Sequence, residues 1–359
     1  MTAPLAAGEE SPPVSDSELG RRWGIYTPRE LGHKCKELDC GTSLIAGLIP
    51  DRSLGIVVGD SGMGKSPLLY QAAICVSSGV PFLGRAVLSG PVLYLDFENG
   101  LGDVDDLTGR LAGHLGLAVA PEALKLWNYN FAPPRWKPEE LASMVRETQP
   151  VWTIIDSVGA YAPEIEEKSS IVTRVYQEFR KIIREYQTSI TVVHHPRKPS
   201  ARLDESAPPL QEDPKGWLLQ ARGSRALINS SDVRIGVDRF GSAQHSESVS
   251  GKSREVALVM AGFGRVRGNI APTYLARVLD DNGEALGYEL MSGASLLFND
   301  AQQEAYQRLP PVFRFKDAQM IYGRRAQATA DFLQKCVSAR IISKNGKEYR
   351  RLEVAERAE

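Results

Sequence analysis

A glycine-rich segment at Gly59–Ser66 constrains this chain more than any other feature, because it matches the pattern G-x-x-x-x-G-K-S in full. The apolar run Leu54–Val58 before it predicts a buried strand, and the residues after it have a helical pattern. A loop between a strand and a helix presents backbone N–H groups and positive potential to phosphate. We therefore expect a nucleotide-phosphate site formed by Gly59, Asp60, Ser61, Gly62, Met63, Gly64, Lys65 and Ser66.

The motif also gives roles to two side chains and requires a third. Lys65 is expected to meet the β- and γ-phosphates of ATP, and Ser66 to bind Mg²⁺. Asp156 follows the apolar run Val151–Ile155, which is the setting of a Walker B aspartate that holds the Mg²⁺ shell from the opposite side. The alternative is an aspartate that only ends a strand or caps a helix. ATP and Mg²⁺ are thus the predicted ligands.

A second strand end carries a carboxylate suited to activating water. Glu98 follows the run Val92–Phe97, and it would face the γ-phosphate if this strand lay beside the P-loop strand. A carboxylate there could orient and deprotonate the attacking water. Asp96, on the same side but deeper in the strand, is the rival carboxylate. A surface carboxylate without a role is the other alternative.

Two histidines follow a third apolar run. His194 and His195 come directly after the predicted strand Ser189–Val193. An imidazole at that point could hydrogen-bond the γ-phosphate or the catalytic water. We expect His194 to sense the γ-phosphate, with His195 as a second catalytic candidate; a purely structural histidine is the alternative.

The order of apolar runs and helical patterns predicts an α/β fold. Runs without polar alternation, separated by helices, indicate a mostly parallel sheet covered on both faces; they occupy residues 54–58, 92–97, 124–129, 151–155 and 189–193. Later runs predict antiparallel strands at the C-terminal side of this sheet, at residues 232–238, 255–260, 273–279 and 286–291. Asp281–Gly283 supplies the last hairpin turn. The charged, proline-rich segment 196–220 predicts a long mobile loop.

Composition adds the domain boundaries. Residues 1–20 lack the basic start and apolar core of a secretory signal, so they predict a disordered tail in a cytoplasmic protein. With no run of eighteen apolar residues, we expect no membrane span. The predicted order is an ATPase domain with its N-terminal lead-in at 21–298, a linker at 299–310 and a small domain at 311–359.

The motifs, taken in order, resemble a known group. GDSGMGKS, YLDFEN, TIIDS, VVHHPRK and RGSRAL, within about residues 40–290, resemble the RecA-like ATPases related to the plasmid RepA-type hexameric helicases. The resemblance implies a RecA-like fold, a catalytic role for Glu98, and paired histidines at His194 and His195. It also implies a homo-oligomeric ring, a hexamer, with ATP between subunits. One departure is the acidic segment Pro163–Lys168, where a DNA-facing loop would be neutral or basic.

The resemblance further implies basic fingers that a neighbouring subunit supplies to charge developing on the transferred phosphoryl group. Arg265 and Arg267 resemble the finger of related ring helicases, and Arg222 and Arg225 in RGSRAL are the other candidates. Each of these arginines could instead form a surface ion pair. The sequence does not choose among them.

The C-terminal segment has the outline of a winged helix-turn-helix. Residues 311–359 carry eleven Lys and Arg against six Asp and Glu, a balance of +5 that permits contact with DNA. The predicted helices are Lys316–Tyr322 and Arg325–Ala339, with Gly323 between them. Packing or protein contact is the alternative. Candidate phosphate contacts, including two in the long loop, are Arg197, Lys198, Arg324, Arg325, Lys335, Lys344 and Lys347.

These observations lead to one leading hypothesis and two rivals. The leading one is an Mg-ATP-hydrolysing motor that acts on DNA as an oligomer, either a RepA-type replicative helicase or a nucleic-acid remodelling ATPase. The first rival is a DNA-binding regulator that ATP switches on and off. The second is a recombination mediator without unwinding activity.

Overall fold

A ten-stranded sheet forms the centre of the molecule in the computed structural model. Its strands, in chain order, are β3 (Leu54–Val58), β4 (Val92–Asp96), β5 (Leu124–Asn128), β6 (Trp152–Asp156), β7 (Ser189–His194), β8 (Val233–Arg239), β9 (Ser246–Val249), β10 (Lys252–Gly264), β11 (Asn269–Leu279) and β12 (Ala285–Leu290). The structure describes residues 22, 24–37, 41–131, 137–166, 168–196, 208–221, 225–239, 246–249, 252–265, 268–280, 282–291, 300–338 and 341–352.

The sheet order is β12-β11-β10-β8-β3-β7-β6-β4-β5, with β9 paired to β10. All neighbours from β8 to β5 in this order are parallel, and the β10, β11 and β12 pairings are antiparallel. The predicted architecture, a mostly parallel sheet with helices on both faces and antiparallel strands at its C-terminal side, is confirmed. The run near 232–238 forms β8, which pairs antiparallel with β10, in line with the prediction, but parallel with β3 on its other side.

Helices cover both faces of this sheet, and a short lead-in precedes it. The lead-in consists of α1 (Pro28–Glu37), β1 (Ser43–Ile45) and β2 (Ile49–Pro50). The helices that follow are α2 (Lys65–Ser78), α3 (Leu101–His114), α4 (Pro138–Thr148), α5 (Val158–Tyr161), α6 (Ser169–Tyr186), α7 (Pro214–Leu218) and α8 (Ala226–Ser230), with a 3₁₀ turn at Pro163–Glu166. Among the described residues, no helix is long and apolar enough to cross a membrane.

The parallel strands are apolar throughout because both of their faces are buried. Successive side chains of a strand point to opposite faces, and β6 illustrates the result: Ile154 packs with the residues of α2 and α3, whereas Ile155 packs with those of α4 and α6. All five residues of β3, β4 and β6 are buried. This two-sided burial fixes the sheet and places its strand ends without dependence on the loops.

Two segments are more ordered than the sequence suggested. Within the predicted mobile loop 196–220, residues 208–221 are packed: Leu210 and Leu218 are buried, and the Asp213 carboxylate accepts the Gly216 N–H at 2.9 Å to cap α7. Residues 197–207 lie outside the described part. The predicted linker 299–310 contains a helix, α9 (Asp300–Arg308), whose Tyr306 joins the C-terminal core. Both predictions were therefore wrong over these stretches.

The C-terminal segment has its own small core. After α9 come β13 (Val312–Arg314), α10 (Phe315–Tyr322), α11 (Ala326–Ser338), β14 (Ile342–Asn345) and β15 (Glu348–Arg351). The three strands form an antiparallel sheet in the order β13-β15-β14. Phe313, Phe332 and Tyr349 pack in its centre. Gly323, at the turn between α10 and α11, has a φ of 64°, which a glycine adopts without steric cost.

The core of α2 supplies a stability test. Ile74 is fully buried between α2 and the sheet, so Ile74→Ala should leave a cavity and lower the free energy of unfolding by about 2–5 kcal/mol. Val119 is 74% exposed, so Val119→Ala should change that free energy by less than about 0.5 kcal/mol. Denaturant unfolding of both variants measures the difference. Equal stability of the two variants would contradict the packing described here.

Candidate functional site

Three polar strand ends meet at one edge of the sheet because the strands that carry them are parallel and in register. Val58 of β3 pairs with His194 of β7, and Asp96 of β4 pairs with Asp156 of β6. The condition placed on Glu98 was wrong, since β4 is not beside the P-loop strand: β7 and β6 lie between β3 and β4. Glu98 nevertheless reaches the site through the turn that follows β4.

The loop Gly59–Gly64 has the backbone that phosphate binding requires. Gly62 and Gly64 have φ values of 70° and 89°, in the region that glycine alone enters freely. The Gly59 N–H donates to the His194 carbonyl at 3.3 Å, which fixes the start of the loop to β7. A methyl group at Gly64 would collide with the Tyr288 hydroxyl, so this position requires glycine for space as well as for conformation.

Lys65 is a buried cation at the first residue of α2. Its side chain is only 5% exposed, and its Nζ donates to the Asp60 carbonyl at 2.8 Å. Burial lowers the Lys65 pKa, and the negative charges of Asp156, Glu98 and Asp60 oppose that shift in this order. Because a buried ammonium is unfavourable without negative partners, the site is suited to an added anion such as a phosphate group.

Asp156 ends β6 and connects the sheet to α2. It accepts a hydrogen bond from the Ser66 hydroxyl and another from the Tyr94 hydroxyl, the latter at 2.7 Å. Burial, together with the charges of Asp96 and Glu98, raises its pKa to about 6 despite these two hydrogen bonds.

Ser66 and Asp156 fit the protein share of an Mg²⁺ site. Mg²⁺ takes few protein ligands and keeps several waters or phosphate oxygens. Within the described ranges, no group of three or more His, Cys, Asp or Glu side chains could hold a metal ion. A serine hydroxyl hydrogen-bonded to a buried carboxylate therefore suits a metal that arrives with a nucleotide rather than a resident ion.

Glu98 is the accessible carboxylate of the site. Its Oε1 lies 3.3 Å from the Nε2 of His195, and its side chain is 37% exposed. The hydrogen bond with His195, followed by one with Ser157 and by the charges of His195 and Lys65, lowers the Glu98 pKa to about 2 against the opposing effect of burial. The Nδ1 of His195 lies 3.5 Å from the Lys65 Nζ, so His195 stands between the carboxylate and the lysine.

Asp96, the rival carboxylate, has a different position. It is 1% exposed, and its two oxygens accept four hydrogen bonds. Oδ1 accepts the backbone N–H groups of Glu98 at 2.9 Å and Asn99 at 2.8 Å. Oδ2 accepts from the Tyr70 hydroxyl at 2.7 Å and the Asn99 side-chain amide at 2.8 Å. Asp96 thus organises the turn that carries Glu98, and has no access to water.

The two histidines lie in different environments. His195 contacts Glu98 and Lys65, as given above, whereas His194 is fully buried with its Nδ1 4.0 Å from a Glu166 oxygen. Of the two predicted catalytic histidines, His195 is thus the one beside Glu98 and Lys65, whereas the side chain of His194, the predicted γ-phosphate sensor, is buried. The physical reason is strand alternation: His194 shares a face with Ile190 and Val192, which pack under α6.

Two of the candidate arginines, Arg265 and Arg225, belong to the described residues. Arg265 follows β10, and its N–H donates to the Asp232 carbonyl at 2.7 Å, beside the start of β3. It is therefore at the edge of the sheet opposite Lys65. Arg225 is exposed at the start of α8. The remaining candidates Arg222, Arg267, Arg197 and Lys198 lie outside the described residues. In the C-terminal segment the exposed cations are Arg324, Arg325, Lys335, Lys344 and Lys347.

Four residues of the site were given no role by the sequence, although Tyr94 and Ser157 lie in the motifs YLDFEN and TIIDS. Tyr70, Tyr94 and Ser157 bond the three carboxylates, and Tyr288 contacts the loop at Gly64, where its hydroxyl donates to the carbonyl at 3.3 Å. One weak signal existed for Tyr94: it lies two residues before Asp96 in an otherwise aliphatic strand, and so on the same face.

Comparisons with known proteins agree with this geometry at the level of the domain. Residues 30–201, a little under half of the chain, match the family model of the AAA domain. A search of curated proteins gives no match. The crystal structure of the RadB recombinase is similar over 67% of this chain and 92% of that one, with 17% sequence identity and a TM-score of 0.44.

The residues that match the AAA domain include the loop Gly59–Ser66 and the parallel strands β3 to β7. The motif Gly59–Ser66 lies between a central parallel strand and a helix, with Asp156 hydrogen-bonded to Ser66. Residues 30–201 are therefore similar to the AAA domain both in sequence and in the placing of this loop between a central strand and a helix.

Replacing Asp156 should stabilise the ligand-free protein at neutral pH. Its folded pKa of about 6 exceeds the ordinary value of 3.8, so the folded state binds more protons between these pH values, and the free energy of unfolding falls as pH rises through them. Asp156→Asn has no carboxyl group to ionise at this position, so its free energy of unfolding does not fall in this way. We expect the variant to be more stable than wild type by about 1–2 kcal/mol at neutral pH, with the difference shrinking towards about pH 4.

Denaturant unfolding at several pH values without nucleotide or Mg²⁺ measures this effect. Asp105→Asn, at an exposed position on α3, is the matched control and should leave stability and its pH dependence nearly unchanged. A variant that is less stable than wild type at every pH would show that the hydrogen bonds of Asp156 outweigh the burial of its charge.

Proposed function

We propose that the protein hydrolyses Mg-ATP, with Glu98 as the carboxylate that orients and deprotonates the attacking water. The observation that carries the proposal is the arrangement Glu98–His195–Lys65, with distances of 3.3 and 3.5 Å, directly beside the phosphate-binding loop. A carboxylate with a pKa of about 2 is fully ionised at neutral pH. It acts on water first through orientation, and accepts the proton as bond formation makes that water more acidic.

The other residues of the site would bind different parts of the Mg-nucleotide. The N–H groups of the loop and the Lys65 ammonium would hold the β- and γ-phosphates. Ser66 and Asp156 would hold Mg²⁺, which when bound neutralises charge on the phosphate oxygens. His195 is placed to contact both the γ-phosphate and Glu98, so it is the better sensor of whether that phosphate is present.

We further propose that the active protein is an oligomer with ATP between subunits, as in the resembled ring helicases. Arg265 supports this assignment because it cannot serve its own site. It lies at the start of β3, whereas the phosphate loop follows the end of that strand, about 16 Å away for five residues. Arg265 is 56% exposed and lines a cleft with Lys215 and Arg234. Its guanidinium lies 3.9 Å from the Asp232 carboxylate, which is the ion pair given as the alternative, so any role as a finger would be towards another subunit.

DNA is the proposed partner, and the C-terminal segment is the proposed contact. Its helices α10 and α11, joined at Gly323, and its three-stranded sheet follow the order of a winged helix-turn-helix. Exposed basic side chains lie at the start of α11 and on the β14–β15 hairpin, which would be the wing. Cations on these two elements could contact successive phosphates of a nucleic acid backbone.

The full proposal is a RepA-type replicative helicase or a related DNA-remodelling motor. One observation favours the alternative of an ATP-controlled DNA-binding switch or recombination mediator. The turn Pro163–Glu166 after β6 is acidic, with Glu164 exposed, and an acidic surface repels the phosphate backbone from the part of the domain nearest the ATP site. Strand displacement on a forked duplex separates the motor from both alternatives.

Glu98→Gln tests the proposed hydrolysis. The variant keeps the size of the side chain but cannot accept a proton, so ATP turnover should fall by about 100-fold or more while binding of a fluorescent ADP analogue is retained. Glu122→Gln, at an exposed position before β5, is the matched control and should hydrolyse ATP like wild type. Wild-type turnover in Glu98→Gln would sink the catalytic assignment.

The same assay with single-stranded DNA separates a motor from a switch. If the protein is a motor, DNA should raise wild-type turnover several-fold, because translocation and hydrolysis are coupled. Slow turnover that DNA does not change, but that Glu98→Gln still abolishes, would favour the switch.

Arg324→Ala with Arg325→Ala tests the proposed DNA contact. If both guanidiniums bind phosphates, the slope of log affinity against log salt concentration should decrease in magnitude by about 2, with a uniform loss of affinity across DNA sequences. Lys181→Ala, exposed on α6 of the ATPase domain, is the control and should leave the slope unchanged. Titrations at four salt concentrations give both slopes; a double variant with the wild-type slope would exclude this surface.

A further inference from the structure

Two tyrosines stack in the core directly beneath the carboxylates of the site. The rings of Tyr70 on α2 and Tyr94 on β4 have centroids 3.9 Å apart and planes within 9° of parallel. Both residues are fully buried. Each hydroxyl donates to a different carboxylate at 2.7 Å, that of Tyr70 to Asp96 and that of Tyr94 to Asp156. Buried hydroxyls need partners, but two such partners at adjacent strand ends also link each ring to the site.

Tyr70 has the more consequential partner, because Asp96 holds the turn with Glu98. Asp96 accepts the Glu98 and Asn99 backbone N–H groups on Oδ1, and the Tyr70 hydroxyl on Oδ2. The path from α2 to the Glu98 backbone therefore consists of two short hydrogen bonds and one carboxylate. Since α2 begins at Lys65 within the phosphate loop, the same rigid helix carries the phosphate-binding groups and the anchor of the general base.

We propose that Tyr70 is a positioning residue for ATP hydrolysis: through Asp96 it fixes the turn that carries Glu98 to the helix that binds the phosphates. The inference rests on the proposed role of Glu98. The distance between the water-orienting carboxylate and the phosphates is then set by α2 itself and not only by the sheet order, in which β4 and β3 are separated by two strands. Misplacement of a catalytic group by about 1 Å can cost about 100-fold in rate.

Tyr94 is the matched comparison for Tyr70. If the two tyrosines served only to pack the core, removing either hydroxyl would have the same effect. Its ring lies in the same stack and is equally buried, but its hydroxyl bonds Asp156, the residue that would hold Mg²⁺. Removing the Tyr94 hydroxyl should therefore affect metal affinity, since partners that orient a metal ligand tune its affinity. Removing the Tyr70 hydroxyl should affect the chemical step. Tyr70→Phe and Tyr94→Phe, which remove hydroxyls from two stacked rings, thus have different expected results.

The experiment uses the full chain with Tyr70→Phe, Tyr94→Phe and the control Tyr176→Phe. Tyr176 is also buried and its hydroxyl is 3.5 Å from that of Ser231, beside the start of β8 and away from the site. For Tyr70→Phe we expect kcat to fall about tenfold, with KM for ATP and the Kd of a fluorescent ADP analogue within about twofold of wild type. Tyr94→Phe should raise the Mg²⁺ concentration for half-maximal ADP binding about tenfold. Tyr176→Phe should change neither.

Epistasis with Glu98→Gln separates positioning from a loss of folding. If Tyr70 acts through Glu98, adding Tyr70→Phe to Glu98→Gln should not lower the residual turnover further, because the group it positions is already inactive. Asp96→Asn replaces one acceptor oxygen by a donor that faces either the Tyr70 hydroxyl or the Glu98 and Asn99 N–H groups, so it should lower kcat at least as much as Tyr70→Phe. Adding Tyr70→Phe to it should lower kcat by less than the factor seen in the wild-type background. This second variant keeps the test open if Tyr70→Phe folds poorly.

Two kinetic results would overturn the inference. One is a Tyr70→Phe variant with wild-type kcat; the other is a variant that lowers turnover by the same factor with and without Glu98→Gln. Failure of the proposed function is distinct, since it appears as wild-type turnover in Glu98→Gln alone. A loss of ADP binding in Tyr70→Phe equal to its loss of kcat would also contradict positioning, because it would place the defect in the phosphate loop.

Discussion

The lateral pairing of Asp96 with Asp156 at the ends of two buried strands is the constraint on which the rest of this structure depends. Two carboxylates side by side in a low-dielectric core repel each other and lose their hydration. The fold answers with donors from three directions: hydroxyls of Tyr70 and Ser66 from α2, the Tyr94 hydroxyl from within β4, and the backbone of the turn after β4. Asp156 still has a pKa raised to about 6, so the compensation is incomplete there.

The buried charge of Asp156 lowers the stability of the ligand-free protein, but the same charge is what would bind a cation. Asp96 receives four hydrogen bonds and is a structural anchor, whereas Asp156 receives fewer and is left with an unfavourable charge in the absence of a cation. A bound cation would remove this penalty, so nucleotide with Mg²⁺ should stabilise the fold by more than its contacts with the loop alone. Functional sites commonly keep such destabilising groups because activity requires them.

The sequence predicts the parts of this site that local chemistry determines. Lys65, Ser66 and Asp156 follow from a motif and an apolar run, and the structure brings them together. It does not predict the sheet order, because order depends on which strands pack after the chain collapses; Glu98 was placed on the correct edge through an adjacency to β3 that does not exist. His194 and His195 could have been separated, since strand alternation puts His194 with Ile190 and Val192. Tyr306 and Leu309, three residues apart in the supposed linker, likewise carried a helical signal.

Two consecutive residues of α2, Tyr70 and Gln71, form hydrogen bonds with two different strands of the sheet. Tyr70 bonds Asp96 towards β4, while Gln71 bonds the backbone N–H and carbonyl of Tyr288 on β12 at 2.7 and 2.9 Å. Successive helix residues point about 100° apart, so one helix can brace two distant strands. A shift of α2 on phosphate binding would therefore displace both the turn with Glu98 and β12.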